Sequence, residues 1–413
     1  MLILYRFGIW FYWLIARLLA PFSSKALKFV DGRKNWKVNL SRLFSENQAN
    51  VVWLHAASLG EFEQGRPVME ALKKSHPQHK ILLTFFSPSG YEIRKNFPLA
   101  DWVMYLPLDT PKNAAYFLDV VKPRMALFVK YEFWYFYLKA LQQRAIPTLM
   151  VSCILRPNQL YFRWYGRFFR PVLSGLTHYF MQDQASLELG KTIGIEQATL
   201  AGDTRFDRVL TIAADAKEVN IMRRFKGEDK LLVIGSSWPS DMKHLLPFIA
   251  AHGEHMKFAI APHNIGEEEI RKLTEELPTA IRYSAAADIN LTDQRMLIID
   301  NMGMLSSLYR YGDFAFIGGG FRGALHNTLE AAVYGIPVCF GEHPKNSKFK
   351  EAIGLVEAGG AFTFSTYEEL EAKFAPLFSN AETHKAYAQA AGSFVKSRAG
   401  ATPLVMQKIE ELL

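Results

Sequence analysis

The sequence predicts an α/β protein built from two Rossmann-like domains in series, and three observations carry that expectation. The chain has 413 residues, more than one ordinary core organises. From Val51 onward, short apolar runs alternate with helix-patterned stretches, the pattern of repeated β-α units on a parallel sheet. The alternation lapses in a polar, charged stretch from roughly Phe206 to Lys230 and then restarts.

The first series of strands is expected at Val51–Ala56, Lys80–Phe86, Trp102–Leu106, Met125–Val129, Thr148–Cys153 and Tyr179–Gln182. The second is expected at Leu231–Gly235, Lys257–Ala261, Met296–Ile299, Phe314–Ile317 and Pro337–Phe340. The division that follows is a membrane-anchoring or interfacial segment at 1–34, a first domain at 35–215 and a second at 216–413, whose last helix is free to pack back on the first domain. Two such domains face each other across a cleft at the carboxyl ends of their strands, where ligands of open α/β sheets bind.

Hydrophobic residues make up 49% of the chain and charged residues 21%, enough for each half to bury a core. The formal net charge of +8 suits phospholipid, nucleic acid or a phosphorylated substrate without choosing among them. Basic residues are dispersed or lie beside apolar segments, which disfavours nucleic acid. Cys153 and Cys339, both inside apolar runs, read as free buried thiols of a reducing compartment.

Leu2 to Ala20 is apolar and aromatic, interrupted by Arg6 and Arg17. Its uninterrupted core, Phe7 to Ala16, is ten residues long, against the roughly 20 of a full bilayer crossing. Trp10, Tyr12 and Trp13 favour the interface, and Lys25, Lys28, Arg33, Lys34 and Lys37 follow, so the globular part is expected on the cytoplasmic side of a membrane. The alternative is an amphipathic helix of the first domain. Tyr161 to Leu173 places Arg163, Arg167 and Arg170 on one helical stripe with Phe162, Tyr165, Phe169 and Val172 roughly opposite, the pattern of a helix lying on an anionic membrane or packed on a core.

The densest motif is Gly318-Gly319-Gly320 after a strand, then Phe321-Arg322-Gly323, then His326-Asn327-Thr328-Leu329-Glu330 opening a helix. Glycines let backbone approach a ligand and a helix amino terminus attracts phosphate. Asn327 and Thr328 offer donors and Glu330 accepts from ribose hydroxyls; the structural alternative is a turn with Asn327 as cap. Gly235-Ser236-Ser237-Trp238, Pro262-His263-Asn264 and Asp300-Asn301-Met302-Gly303-Met304 also follow strands and are expected at the same cavity. No dinucleotide fingerprint, Walker sequence, D-x-D pair or His/Cys cluster is present, so neither redox chemistry nor a bound metal is expected.

In the first domain, Val51–Ala56 runs into Ser58-Leu59-Gly60-Glu61. The spacing is that of a capping box, which accounts for both residues without chemistry. A helix amino terminus also lowers a carboxylate's pKa and weakens it as a base. Against this, Glu61 stands at a strand's carboxyl end, where a group that deprotonates an alcohol is needed. Glu132, in Lys130-Tyr131-Glu132-Phe133-Trp134, and Arg205, in Gly202-Asp203-Thr204-Arg205-Phe206-Asp207, follow other strands; a structural ion pair, with each other or with another partner, competes with a catalytic role.

At these residues the chain resembles the 3-deoxy-D-manno-octulosonic acid (Kdo) transferases of Gram-negative lipopolysaccharide biosynthesis. The matching elements are His55-Ala56-Ala57-Ser58-Leu59-Gly60-Glu61, Glu132-Phe133-Trp134, Gly202 to Asp207, and Gly318 to Gly320 with His326-Asn327-x-Leu329-Glu330, in family order across nearly the whole chain. The resemblance implies a GT-B fold and an inverting glycosyltransferase at the cytoplasmic face of the inner membrane. It implies transfer of Kdo from CMP-Kdo to a lipid A precursor, lipid IVA, without a cofactor or metal. Carried over by motif, Glu61 is the base, Glu132 and Arg205 stabilise the transition state, and Pro262, His263, Met302, Gly303, Met304, Asn327, Thr328, Leu329 and Glu330 hold CMP. Two departures stand out: lysine is frequent in the family where Arg205 stands, with a different reach, and the stretch after Gly320 is shortened. The competing readings are another membrane-associated GT-B enzyme using a UDP-sugar, an epimerase of that fold, and a non-catalytic membrane-binding module.

Overall fold

Near-continuous apolar runs become strands buried on both faces, as parallel sheets require. The computed structural model describes residues 1–45 and 50–413, which form two compact units, Met1–Asp207 with Ala399–Leu413, and Arg208–Arg398. Each unit holds one seven-stranded sheet, and every strand pairing in both is parallel.

In the first unit the strands are β1 (Val51–Ala56), β2 (Lys80–Phe85), β3 (Trp102–Tyr105), β4 (Met125–Val129), β5 (Thr148–Cys153), β6 (His178–Met181) and β7 (Ala198–Leu200). Their spatial order is β3-β2-β1-β4-β5-β6-β7, so the order reverses between β1 and β4. That switch point is where the loops leaving two neighbouring strands part and open a crevice. The second sheet comprises β8 (Leu231–Ser237), β9 (Lys257–Pro262), β10 (Ile281–Arg282), β11 (Met296–Ile298), β12 (Phe314–Ile317), β13 (Val338–Gly341) and β14 (Ala361–Phe364). Its order, β10-β11-β9-β8-β12-β13-β14, puts the switch between β8 and β12. The strands that the sequence left unmarked, β7, β10 and β14, are all sheet edges.

The helices that matter to the first unit's site are α1 (Leu2–Leu19), α2 (Ser24–Asp31), α3 (Trp36–Phe44), α4 (Leu59–Ser75), α5 (Pro88–Arg94), α6 (Pro111–Val121) and α7 (Tyr135–Gln143). Among the described residues, α1 alone is long and apolar enough to cross a membrane. It does not stand away from its unit. Tyr5 sits in an aromatic nest of Tyr135, Phe136, Phe168 and Phe169, with ring centroids 5.5–6.1 Å away, and two turns on Tyr12 and Trp13 pack against Phe29. The opposite flank leaves Ile3, Leu4, Phe7, Trp10, Phe11 and Leu18 exposed, and Phe22 beyond the helix is 87% exposed.

The Tyr5 hydroxyl donates to Asp109 Oδ2 at 2.6 Å, and the same buried carboxylate accepts the N–H groups of Phe136 and Tyr137 at the start of α7. Burial pushes the Asp109 carboxyl up to about 6, against these three donors. Tyr5→Phe leaves the nest intact and removes one bond to a buried carboxylate, an expected loss of about 1.5–3 kcal/mol. Calorimetry of the full chain in detergent should register it as a fall of several degrees in the Tm of the first unit.

Two expectations are corrected here. Arg33, grouped with the basic run after α1, is buried; its guanidinium donates to the carbonyls of Leu106, Phe29 and Phe86 at 2.8–3.0 Å and stacks on the Phe29 ring. Burial draws its pKa down to about 10, and it pins loops rather than meeting lipid. The segment Tyr161 to Leu173 is not one helix but two 3-10 turns, Leu160–Phe162 and Trp164–Phe169, and the short helix Arg170–Leu173. Tyr161 and Phe169 are both buried, and Arg163 turns extended between the two 3-10 turns. Arg163 and Arg167 remain exposed beside Trp164, but Tyr165 is exposed as well rather than opposed to them.

The chain's last helix, Ala401–Leu412, belongs to the first unit and buries Val405, Met406 and Ile409 in the core cluster that α4 also covers. Asp207 ties its start by accepting the N–H groups of Gly400 and Thr402 at 2.6 and 2.9 Å.

Candidate active site

The first unit gathers two carboxylates at its switch point. Glu61 lies in the opening turn of α4, directly after β1, and is only 8% exposed. Half of the capping box is formed: the Ser58 N–H bonds back to the Glu61 carboxylate. The other half is not, because the Ser58 hydroxyl caps no helix N–H and donates instead to Glu61 Oε2 at 2.8 Å. The serine therefore orients the carboxylate. Gly60 has no atom within 4 Å of where a Cβ would stand, so packing does not demand glycine there and space stays open beside Glu61.

Glu132 reaches the same place from the loop after β4. Lys130 adopts a left-handed φ of 64°, a conformation that a lysine holds only where its surroundings enforce it, and this turn swings Glu132 inward. His55, fully buried on β1, sits 3.8 Å from Glu132 through Nε2. The Trp134 indole N–H donates to that nitrogen at 3.0 Å, so the imidazole proton is on Nδ1, 2.9 Å from Thr84 Oγ1. Burial draws the His55 pKa down to about 3, which makes it a neutral brace for Trp134 and Glu132 rather than a counter-ion. His55 and Lys130 were quoted in the motifs without a role; neither a pKa nor a backbone angle is visible in a one-dimensional pattern.

Both carboxyls are shifted upward. Burial raises Glu61 first and the neighbouring Glu132 adds to it, against Ser58 and Lys130; burial raises Glu132 to about 7. The helix terminus alone was expected to lower the Glu61 pKa; burial and Glu132 shift it upward instead, and a raised pKa brings the group nearer the working range of a general base. Glu132→Gln removes the like charge, so the Glu61 pKa should fall. The acidic limb of the pH-rate profile then moves to lower pH, while burial keeps it above that of an ordinary carboxylate. An unmoved limb would mean that Glu61 does not set it.

Arg205 grips Asp203, with Nε and Nη2 at 3.0 and 2.8 Å from Oδ2. Gln64, one turn beyond Glu61 on α4, donates to the same oxygen at 2.8 Å. The structural alternative for Arg205, an ion pair, is present with Asp203, which is adjacent in sequence and held against α4.

In the second unit, the loops after β8, β9 and β12 converge. Trp238 stacks on His263 with ring centroids 3.9 Å apart, Arg322 lies 4.2 Å over the indole, and the indole N–H faces His326 Nε2 at 3.4 Å. These rings border a cavity of about 340 Å³ that Pro262, His263, Trp238 and Arg322 line. Desolvation lowers both imidazoles, His326 to about 4, so the guanidinium is the charge of the cluster. Asp241, which sequence reading passed over, orders these loops by accepting the N–H groups of Gly319 and Trp238.

Other donor-side expectations change. The glycine triplet serves packing: a Cβ on Gly318 would overlap the Ser236 carbonyl, one on Gly319 the Ala324 carbonyl, and one on Gly320 the Gly341 backbone. The helix expected to present its terminus is the single turn Leu329–Ala332. Asn327 Oδ1 accepts the Leu329 N–H at 3.1 Å and its amide donates to Glu330 at 3.2 Å, the capping alternative. The side chains of Thr328 and Leu329 are fully buried. Asn327 and Glu330 stay partly exposed, as does Met304, while Met302 and Gly303 are open to solvent; none of these lines the cavity that holds Pro262 and His263.

The family model described as 3-deoxy-D-manno-octulosonic-acid transferase (kdotransferase) matches residues 34–208. A 3-deoxy-D-manno-octulosonic acid transferase of Aquifex aeolicus is 28% identical over 341 residues, covering 81% of this chain and 88% of the relative. The chain is similar to the Kdo transferases over most of its length. It is a glycosyltransferase, and its fold agrees. UDP-GlcNAc 2-epimerase from Neisseria meningitidis, solved with UDP-GlcNAc, superposes with a TM-score of 0.59 at 14% identity, covering 88% of this chain and 100% of that one. MurG from Acinetobacter baumannii superposes with 0.53 at 14%, covering 88% and 99%. At that identity the likeness speaks for the GT-B fold alone. In the transferase the family match spans the unit that carries Glu61, Glu132 and Arg205.

Proposed function

We propose that the transferase moves Kdo from CMP-Kdo to a hydroxyl of a lipid A precursor, lipid IVA, with inversion at the anomeric carbon. The observation that carries this reading is the Glu61–Glu132 pair, buried, raised in pKa and oriented by Ser58 and Trp134. Glu61 takes the acceptor's hydroxyl proton as the oxygen bonds to the anomeric carbon, and the bond from that carbon to the CMP phosphate oxygen breaks. CMP leaves as an anion, with Arg205 in the first unit and Arg322 in the wall of the second unit's cavity as the cations assigned to it. Glu132 holds Glu61 in a raised-pKa state and faces the positive charge that develops on the sugar in the transition state. Pro262 and His263 line the cavity assigned to CMP, and Asn327 to Glu330 and Met302 to Met304 are assigned to CMP by motif alone. In this reading protein groups suffice, with no metal.

The same reading places the transferase on the cytoplasmic face of the inner membrane. Supporting it, α1 is tied to the first unit through Tyr5, Tyr12 and Trp13 while its other flank exposes a row of large apolar residues. A helix held that way lies in the plane of the interface rather than crossing it. Lys25 and Lys28, both exposed and without an ion-pair partner among the described residues, follow α1 and suit anionic headgroups.

Purified full-length protein, lipid IVA and CMP-Kdo, with UDP-sugars as alternative donors, should yield a product heavier by one or more Kdo residues in mass spectrometry. Transfer from a UDP-sugar, with none from CMP-Kdo, would overturn the donor assignment.

A further inference from the structure

Between α1, α2 and the loop after β2 lies a cavity of about 260 Å³ with a mostly apolar wall. Ile15, Ala16 and Leu19 of α1 form one side, Ala26 and Phe29 of α2 a second, and Phe86 the inner end. Its two ends tie it to the two features that a lipid-modifying site must join. At the outer end, Ile15 and Leu19 of the cavity wall are themselves partly open to solvent, at 39% and 50% exposure, next to the exposed apolar strip of α1.

At the inner end, Phe86 packs tilted against Trp134 with centroids 4.4 Å apart, and Trp134 is the residue whose indole braces His55 and Glu132. Ser87, also in the wall, donates its N–H to the Ala57 carbonyl at 2.7 Å, and Ala57 precedes the serine that orients Glu61. The Phe86 carbonyl is pinned by the buried Arg33, so this end is built rather than a loose gap. At the rim stands Lys25, exposed and with no partner among the described residues.

From this placement we infer that the cavity receives one hydrocarbon chain of the phosphorylated lipid acceptor, with Lys25 meeting an anionic headgroup oxygen. The inference rests on the lipid-acceptor reading above. The chain enters from the side where α1 meets the bilayer and ends at Phe86, which sets the headgroup hydroxyl beside Glu61. Binding of the acyl group thereby orients a nucleophile, the use of remote binding energy that raises transfer rather than only affinity. Each methylene moved from water into such a pocket is worth about fourfold in affinity.

Ala26→Trp and Ala16→Trp fill the cavity from two different helices. Each should raise KM for the acylated acceptor at least tenfold and leave KM for the deacylated sugar acceptor and for the donor unchanged. Lys25→Glu should weaken only acceptors that carry the phosphate. Displacement of an environment-sensitive fluorescent fatty acid, measured without donor, gives a readout independent of transfer: wild type should bind it and both tryptophan variants should not.

Equal effects on acylated and deacylated acceptors, or none on either, would overturn the inference, as would fatty-acid binding that persists in both variants. Loss of binding to phospholipid vesicles with an unchanged preference for acylated acceptor would give the cavity to bulk lipid and overturn it too. A wild type that binds the fatty acid in this cavity yet transfers no Kdo would sink the proposed function and leave the cavity standing.

Discussion

Glu61→Gln should lower kcat by a factor of about 10² to 10⁴, the usual worth of a positioned general base, while donor affinity stays within about twofold. The substitution is nearly isosteric, and the Ser58 hydroxyl that donates to Glu61 at 2.8 Å can donate equally to the amide carbonyl. Stability should not fall. The folded-state pKa of Glu61 is raised by burial first and by Glu132 second, so its carboxyl is most comfortable in the fold when protonated, and its burial penalty grows as pH rises through the raised value. The glutamine variant should therefore be more stable than wild type at neutral pH, and the gain should fade as pH falls through that value. Loss of turnover with a retained or raised Tm identifies a chemical role; turnover within tenfold of wild type removes Glu61 from the mechanism.

Gly318→Ala should abolish folding of the second unit or lower its Tm by ten degrees or more. The added methyl group would overlap the Ser236 carbonyl and stand 2.9 Å from the Ser237 Cα. These atoms are backbone, and Ser236 is already held at a φ of 53°, so neither can step aside as a side-chain tip would. Overpacking against backbone at a strand end costs about 3 kcal/mol or more. Gly60→Ala is the contrast. Its Cβ meets nothing within 4 Å and alanine is the better helix former by up to about 1 kcal/mol, so stability should hold or rise. A fall in acceptor turnover without a fall in Tm would show that the acceptor occupies the space beside Glu61. Thermal melts paired with transfer assays on the two variants separate a glycine kept for folding from one kept for substrate.

Much of this molecule was legible in one dimension because the signals are local. The alternation of apolar runs and helical patterns marked eleven strands of the two sheets, and the halt between them came from composition alone. The strands that escaped, Ala198–Leu200, Ile281–Arg282 and Ala361–Phe364, are short edge strands, which pair on one side only and so need no long apolar run. The carboxylates were found because they follow strands, and a strand's carboxyl end is where a β-α protein opens to its ligands.

What tertiary structure decided are the quantities that sum over atoms distant in sequence. The Ser58–Glu61 spacing allows a capping box or an oriented base; only the burial of that turn beside Glu132 turns the hydroxyl toward the carboxylate and lifts its pKa. A basic run does not reveal that Arg33 is swallowed by carbonyls from residues 29, 86 and 106. A glycine triplet does not reveal that neighbouring backbone, rather than a nucleotide, claims the space of its missing side chains. Local pattern settles which elements form and in what order, because backbone hydrogen bonding and apolar periodicity act over a few residues. Desolvation, steric exclusion and charge coupling act across space, so they exist only once the chain has folded.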